Sequence, residues 1–348
     1  MQTLTQISPL VSASPIGVAV FGVSTPFAYS GFHIVRVIVE AVTGETLSLH
    51  LTNLQQLRER FEERGGGSVV VTSDFPDEDL IGFLINSALP LIAFGDDMRE
   101  MVEWTAHSRR MSMENAIRFC SNIVCVLTPA FLVSRTLVLG PGSRPSAIVA
   151  AIVAHLFPND DEGLAARLYE TLVQEGKLSP DGFADWRLTA EPLTRDAVRA
   201  EPGRMAELQS ALMSYGSIIA GRLPVDIEWP VALFTCPDTE NWREPIDLTG
   251  PARIVMYGPY LHLPAGKWVA RVEFEIDGAI SGVEAATDVF ISEVLVEKVF
   301  VMPRKGIFAF ELGFEVSDPR HAVEIRLSTK RSAIEGLLLV RSVVVRAA

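Results

Sequence analysis

The sequence predicts an α/β domain on a parallel sheet with helices on both faces, followed by an all-β antiparallel sandwich of jelly-roll type. Three observations carry this. Short continuous apolar runs alternate with helically spaced ones from Ile16 to His107, and helical spacing dominates from Met113 to Leu223. After Thr249 the chain turns to alternating apolar runs separated by Gly, Pro, Asp and Ser. A length of 348 residues exceeds what one hydrophobic core usually serves, so the change of texture reads as a domain boundary. The expected division is 1–235 for the α/β domain with a helical extension, 236–250 for a linker and 251–348 for the sandwich. The Pro-rich stretch Val225–Asp247 links or docks the two.

Ile16–Ser24 is a continuous apolar run ending in small residues, as a central parallel strand buried on both faces requires. Phe32–Val42 has helical spacing and Gly44 as its C-cap. Leu47–Leu51 predicts a second strand, and Leu54–Arg64 an amphipathic helix stopped by Gly65-Gly66-Gly67. Ser68–Ser73, the helix Asp77–Ala88, the strand Pro90–Gly95 and the helix Met98–His107 continue the alternation. In the second half, strands are expected at Arg253–Tyr257, Tyr260–Leu263, Lys267–Ile276, Val289–Val301, Phe308–Val316, Val323–Ser328 and Leu337–Arg346.

Composition narrows the function classes. A net charge of -13 repels phosphate backbones and anionic lipid, and no Lys/Arg run offsets it, so nucleic acid is not an expected partner. The first lysine is Lys177, so the first half has no lysine for catalysis. Cys120, Cys125 and Cys236 form neither a disulfide framework nor a zinc motif, and no metal is expected. The expected location is a reducing cytoplasm, with peripheral association at the inner membrane face left open. The start shows no signal-peptide pattern. Ile148–Phe157 is too short to span a bilayer, and Ile117–Leu139 is interrupted by Arg118, Asn122, Pro129 and Arg135, so no transmembrane segment is expected.

Val18-Ala19-Val20-Phe21-Gly22-Val23-Ser24-Thr25-Pro26, followed by Ser30-Gly31-Phe32 opening a helix, resembles the phosphosulfate-binding loop of the sulfotransferases. Val70-Val71-Thr72-Ser73-Asp74-Phe75-Pro76 is similar to that family's segment carrying the catalytic base. Phe94-Gly95-Asp96-Asp97-Met98-Arg99-Glu100 is similar to its segment for the nucleotide 3′-phosphate. The resemblance spans roughly Val18 to Arg110 and implies a P-loop-type sheet with 3′-phosphoadenosine 5′-phosphosulfate as cofactor. It also implies an anion-binding loop of Ser24, Thr25, Ser30 and Gly31, with Asp74 deprotonating an acceptor hydroxyl. The departures fall on the charges. No cation precedes Arg36, Asp74 stands where the family has histidine, and Asp96 stands where it has arginine. Preorganised positive charge dominates such transfers, so the donor site is expected to be degenerate, with Arg99, Arg109 and Arg110 compensating if they fold inward.

Each residue also has a plainer reading. Ser24 to Gly31 suit an ordinary strand-to-helix connection, and Asp74 suits a cap for the helix near Asp77. Asp74, Asp77, Glu78 and Asp79 lack the spacing of a calcium loop. Tyr257-Gly258-Pro259-Tyr260-Leu261-His262-Leu263-Pro264-Ala265-Gly266-Lys267-Trp268 resembles a strand, turn and aromatic strand of carbohydrate-binding jelly rolls. Tyr257 and Trp268 are read as core, Trp242 as packing the linker, and Tyr260 and His262 as surface residues for glycan contact. Two functions follow. One is a sulfotransferase-like protein of glycan or polysaccharide modification; the other is a non-catalytic scaffold or interaction protein with a glycan or protein partner. Oligomeric state is left open.

Overall fold

The structure is a computed structural model that describes residues 14–61, 67–158, 163–176, 178, 202–238, 244–279 and 282–348. The chain divides into two compact units. A parallel five-stranded sheet with helices lies in the N-terminal part, and antiparallel sheets form the C-terminal part.

In the first unit, the strands are β1 (Gly17–Gly22), β2 (Thr46–His50), β3 (Ser68–Ser73), β4 (Leu91–Phe94) and β5 (Thr136–Leu139). Their order is β2-β3-β1-β4-β5, parallel throughout. The helices that follow the first four are α1 (Pro26–Thr43), α2 (Leu54–Phe61), α3 (Glu78–Asn86) and α4 (Met98–Ser108). Then come α5 (Met113–Leu132), α6 (Pro145–Leu156) and α7 (Leu164–Gln174). Val18, Val20, Val70, Ile92 and Phe94 turn one side of the sheet into a core with α1, α6 and α7. Ala19, Phe21, Val71, Leu91 and Ala93, of opposite parity, are buried as well, which is why these strands read as unbroken apolar runs.

Three boundaries differ from expectation. Helix α1 starts at Pro26 rather than Phe32, because Thr25 caps it and Pro26 takes the first-turn position that needs no N–H. The strand β5 lies inside the stretch expected to be helical. Helix α5 passes Pro129 without ending and is long and apolar enough to cross a membrane by length and composition, although 67% of its apolar window is buried within the protein.

The second unit holds Arg109–Cys125, which includes the first part of α5, the helix α8 (Pro202–Ile219) up to Ile218, and the chain from Leu223 onward. One sheet has the order β11-β10-β13-β8 and the other β12-β9-β14-β6, with β7 also paired to β14. The strands are β6 (Asp226–Glu228), β7 (Ile246–Asp247), β8 (Ile254–Leu261), β9 (Gly266–Asp277) and β10 (Glu284–Ile291). The remainder are β11 (Glu293–Val301), β12 (Gly306–Val316), β13 (Val323–Thr329) and β14 (Leu337–Ala347). Strict alternation in β9 and β13 buries Ala270, Val272, Phe274 and Ile276 and, across the sandwich, Val323, Ile325 and Leu327.

The sandwich begins earlier than residue 251. Asp226–Glu228 hydrogen-bonds along β14, and the Trp229 N–H donates to the Val343 carbonyl at 2.9 Å, so residues assigned to the α/β part and the linker supply sandwich edge strands. The expected strand Val289–Val301 is a hairpin whose turn residue Ser292 adopts φ 59°. The two expected strands at Arg253–Tyr257 and Tyr260–Leu263 are one strand with a bulge, where Tyr260 adopts φ 64° and the register against β13 shifts between Val323 and Glu324.

Candidate functional site

The carboxyl ends of β1, β2 and β3 gather the first candidate constellation. Ser24 follows β1, His50 ends β2, Asp74 follows β3, and Tyr29 sits one turn into α1. The Ser24 and Tyr29 hydroxyls donate to Asp74 Oδ2 at 2.9 and 2.7 Å. His50 Nε2 lies 3.3 Å from Asp74 Oδ1, and its Nδ1 lies 3.1 Å from Thr72 Oγ1. Burial pushes the Asp74 carboxyl up, but the hydrogen bonds from His50, Tyr29 and Ser24 outweigh it and hold its pKa at about 2. A carboxylate so stabilised is a poor base at neutral pH, and both nitrogens of its imidazole neighbour are engaged. Asp74 does not cap α3; Asp77 does, its Oδ1 accepting from Leu80 N at 2.7 Å.

The loop expected to hold an anion is not a loop. Ser30 and Gly31 lie within α1, and the Ser30 hydroxyl donates to the Pro26 carbonyl at 2.8 Å. Thr25 is occupied as the cap, accepting from Ala28 N, while Tyr29 N donates to the Thr25 carbonyl. The strand order places the crevice of this sheet between the carboxyl ends of β1 and β4. Aromatic rings crowd that position. The Phe94 ring stacks edge-on against Phe27 and Phe32, at centroid separations of 5.8 and 6.4 Å, and lies against Gly31. These residues do not fit a phosphosulfate donor, because the connection from β1 to α1 is too short to wrap a phosphate and carries no cation.

Two of the three arginines expected to compensate have other partners, and the third forms a turn. Arg99 pairs with Glu103 on its own helix at 2.9 Å, the Arg109 guanidinium lies 4.2 Å from the centroid of Phe119, and Arg110 forms the turn after α4 with φ 53°. Gly31 is a packing residue. A Cβ there would run into the Phe94 ring, so Gly31→Ala is expected to destabilise by about 1–3 kcal/mol, the cost of overpacking. At an open helical position the same change stabilises by about 1 kcal/mol. Urea denaturation distinguishes the two signs.

The second constellation lies on the outward face of the sheet β11-β10-β13-β8. Its inward face is the alternate set Ala285, Thr287, Val289, Val323, Ile325 and Leu327, all buried. Outward, two rows cross the strands. In one, Asp288 of β10 stands opposite Arg326 of β13, which stands opposite Tyr257 of β8. In the next, Phe290 stands opposite Glu324, which stands opposite Pro259 beside Tyr260. Arg326 Nε donates to Asp288 Oδ1 at 2.8 Å while its guanidinium lies 4.2 Å from the Phe290 centroid. Tyr257 and Tyr260 meet edge to face at 6.2 Å. The Tyr260 hydroxyl hydrogen-bonds Glu324, whose carboxyl burial pushes upward.

Arg118, on the part of α5 in this unit, completes the array. It donates to the Pro259 carbonyl at 2.9 Å and the Leu233 carbonyl at 3.2 Å, with its guanidinium 5.2 Å from the Tyr260 centroid. This anchors the bulge that holds Tyr260 in its left-handed conformation. Strained non-glycine backbone of this kind persists only where the surroundings over-determine it.

Of the two residues expected to contact glycan, the structure keeps one on this face. His262 is 7% exposed, its Nδ1 is 2.8 Å from the Pro319 carbonyl, its N–H donates to Ser121, and its carbonyl accepts from Tyr215. Burial lowers its pKa. It is a packed core residue because β8 ends there and turns inward. Tyr257, expected in the core, is half-buried on the outward face; Trp268 is in the core as expected, donating to the Pro264 carbonyl at 2.9 Å. Trp242 lies outside the described residues. Among the described residues, no group of three or more His, Cys, Asp or Glu side chains is arranged to hold a metal ion.

No protein-family model matches the chain, and no curated protein matches it. Among solved structures, a carbohydrate-binding module, TmCBM61, in complex with β-1,4-galactotriose is 12% identical, covering 29% of this chain and 67% of its own, with a TM-score of 0.22. The C-terminal carbohydrate-binding module of a laminarinase from Zobellia galactanivorans is 14% identical over 29% of this chain and 75% of its own, at 0.21. A pentameric capsid protein from metagenomic phage sequences is 12% identical over 32% of this chain and 65% of its own, at 0.16. At such TM-scores these likenesses establish neither family nor function.

Proposed function

We propose that the chain is a non-catalytic glycan-binding protein, and that the outward face of the sheet β11-β10-β13-β8 does the binding. The observation that carries this reading is the array of Tyr257, Tyr260 and Phe290 around Arg326, Glu324 and Asp288. Aromatic rings accept the apolar C–H faces of pyranose rings, while a guanidinium and carboxylates donate to and accept from vicinal hydroxyls. Phe290 and the two tyrosines flank β13 from either side, two strand spacings or about 10 Å apart, a span that an oligosaccharide bridges in extended form. The first unit serves on this reading as a scaffold. On this reading Asp74 serves to accept hydrogen bonds from Ser24, Tyr29 and His50 at the carboxyl ends of the strands, and the packing of Phe94 against Phe27, Gly31 and Phe32 of α1 argues against a sulfonate donor there.

Calorimetry of the full chain against neutral oligosaccharides tests the reading. Tyr260→Ala is expected to weaken binding roughly tenfold or more, as loss of a central aromatic anchor does, with unchanged circular dichroism. Unchanged affinity in Tyr260→Ala and in Tyr257→Ala would remove this face from consideration. Titration with 3′-phosphoadenosine 5′-phosphate is expected to give no binding heat; saturable binding lost in Ser24→Ala would restore the sulfotransferase-like reading.

A further inference from the structure

Charge on the proposed face restricts the kind of glycan, and this step rests on the glycan-binding reading above. Sulfated and uronate-containing glycans need cations whose charge is not already offset. The cations here are already matched. Arg326 is held by Asp288 at 2.8 Å, and Lys330, just past β13, by Glu297 of β11 at 2.5 Å. Arg118 spends Nε and one terminal nitrogen on the carbonyls of Pro259 and Leu233 and the other on Asn115. Glu324 faces the same surface with the Tyr260 hydroxyl, not a cation, as its hydrogen-bond partner. The three carboxylates Asp288, Glu297 and Glu324 thus equal the three cations Arg118, Arg326 and Lys330 in number, on a chain that carries a net charge of -13.

We infer that this face selects neutral glycans and rejects sulfated or uronate-bearing ones. An anionic sugar that took Arg326 or Lys330 as its partner would either displace Asp288 or Glu297, stranding a carboxylate, or set its own charge beside those carboxylates and Glu324. At the Asp288 pair, displacement would uncover an acid only 7% exposed. A neutral sugar leaves both pairs in place and hydrogen-bonds to their remaining lone pairs and N–H groups. The matched pairs thus work as a specificity device, attractive to hydroxyls and repulsive to acids.

The test titrates the full chain with neutral cello-, xylo-, manno- and β-galacto-oligosaccharides, and with oligogalacturonate and sulfated dextran, at low and at high salt. The expected result is at least one neutral ligand bound roughly tenfold or more tighter than either anionic one, with little dependence on salt. Tighter binding of an anionic ligand, weakened by salt and lost in Tyr260→Ala, would overturn the selectivity while leaving the face a glycan site. No binding across the whole panel would overturn the glycan reading itself.

Discussion

Asp288→Ala is expected to lower the unfolding free energy by roughly 3 kcal/mol, the low end of the range for breaking a buried ion pair by removing one partner. The size follows from what is left behind. Asp288 is 7% exposed and the Arg326 side chain 20%, so truncation strands a guanidinium over the Phe290 ring with little water to replace the carboxylate. The pair also sits on the two central strands of its sheet, where both members are backed by buried Leu327 and Thr287. The double variant Asp288→Leu with Arg326→Leu is expected to recover most of the loss, since apolar replacement of a whole buried pair is often close to neutral. That recovery separates the cost of an orphaned charge from the net worth of the pair. Urea denaturation at neutral pH with a common m value reads both. A single-variant loss under about 1 kcal/mol would class the pair with exposed surface bridges. The double variant should keep its fold and lose glycan binding, which divides stability from function on one face.

Legibility in the sequence tracked how local each feature is. The strand β3 is found at its expected Ser68–Ser73 because a strand buried on both faces is an unbroken short run between turn residues, and β9 and β13 lie within a residue of expectation because period-two burial is written directly into their residues. Helix α1 was legible too. Thr25 followed by Pro26 is a cap and a first-turn proline, a local signal that outranks the apolar spacing that places the helix start six residues later, at Phe32. Strand β6 was not legible. Three residues carry no periodicity, and their partner, β14, lies more than a hundred residues away in sequence. The proposed glycan face fails for the same reason. Tyr257, Asp288 and Arg326 become neighbours because β13 inserts between β10 and β8, an order that no run of residues announces. At the parallel sheet, Asp74 was visible as a residue at a strand end, but its partners come from β1, α1 and β2, and they reverse its chemistry.

Asp74→Asn is expected to cost about 1–2 kcal/mol at neutral pH and progressively less on acidification, the difference closing below about pH 2. The carboxyl falls from its ordinary 3.8 to about 2 because three donors stabilise its charged form more than burial opposes it. That displacement corresponds to roughly 2.5 kcal/mol, which screening by solvent at the carboxyl ends of the strands reduces to the range given. Its sign is fixed by linkage. With the folded value below the unfolded one, the unfolded chain takes up the proton first, so the stabilisation is complete above the ordinary carboxylate range and drains away as pH falls from about 4 through about 2. Other carboxylates titrate in the same window, so the quantity to measure is the difference between the native chain and the variant at each pH. A general base poised for proton abstraction has the opposite signature. Its pKa is raised, its charge is a burden to the fold, and its amide replacement stabilises at neutral pH. A variant more stable than the native chain at pH 7 would therefore reinstate Asp74 as a base. A deficit that closes on acidification assigns it to tying β1, β2 and β3 together at their carboxyl ends.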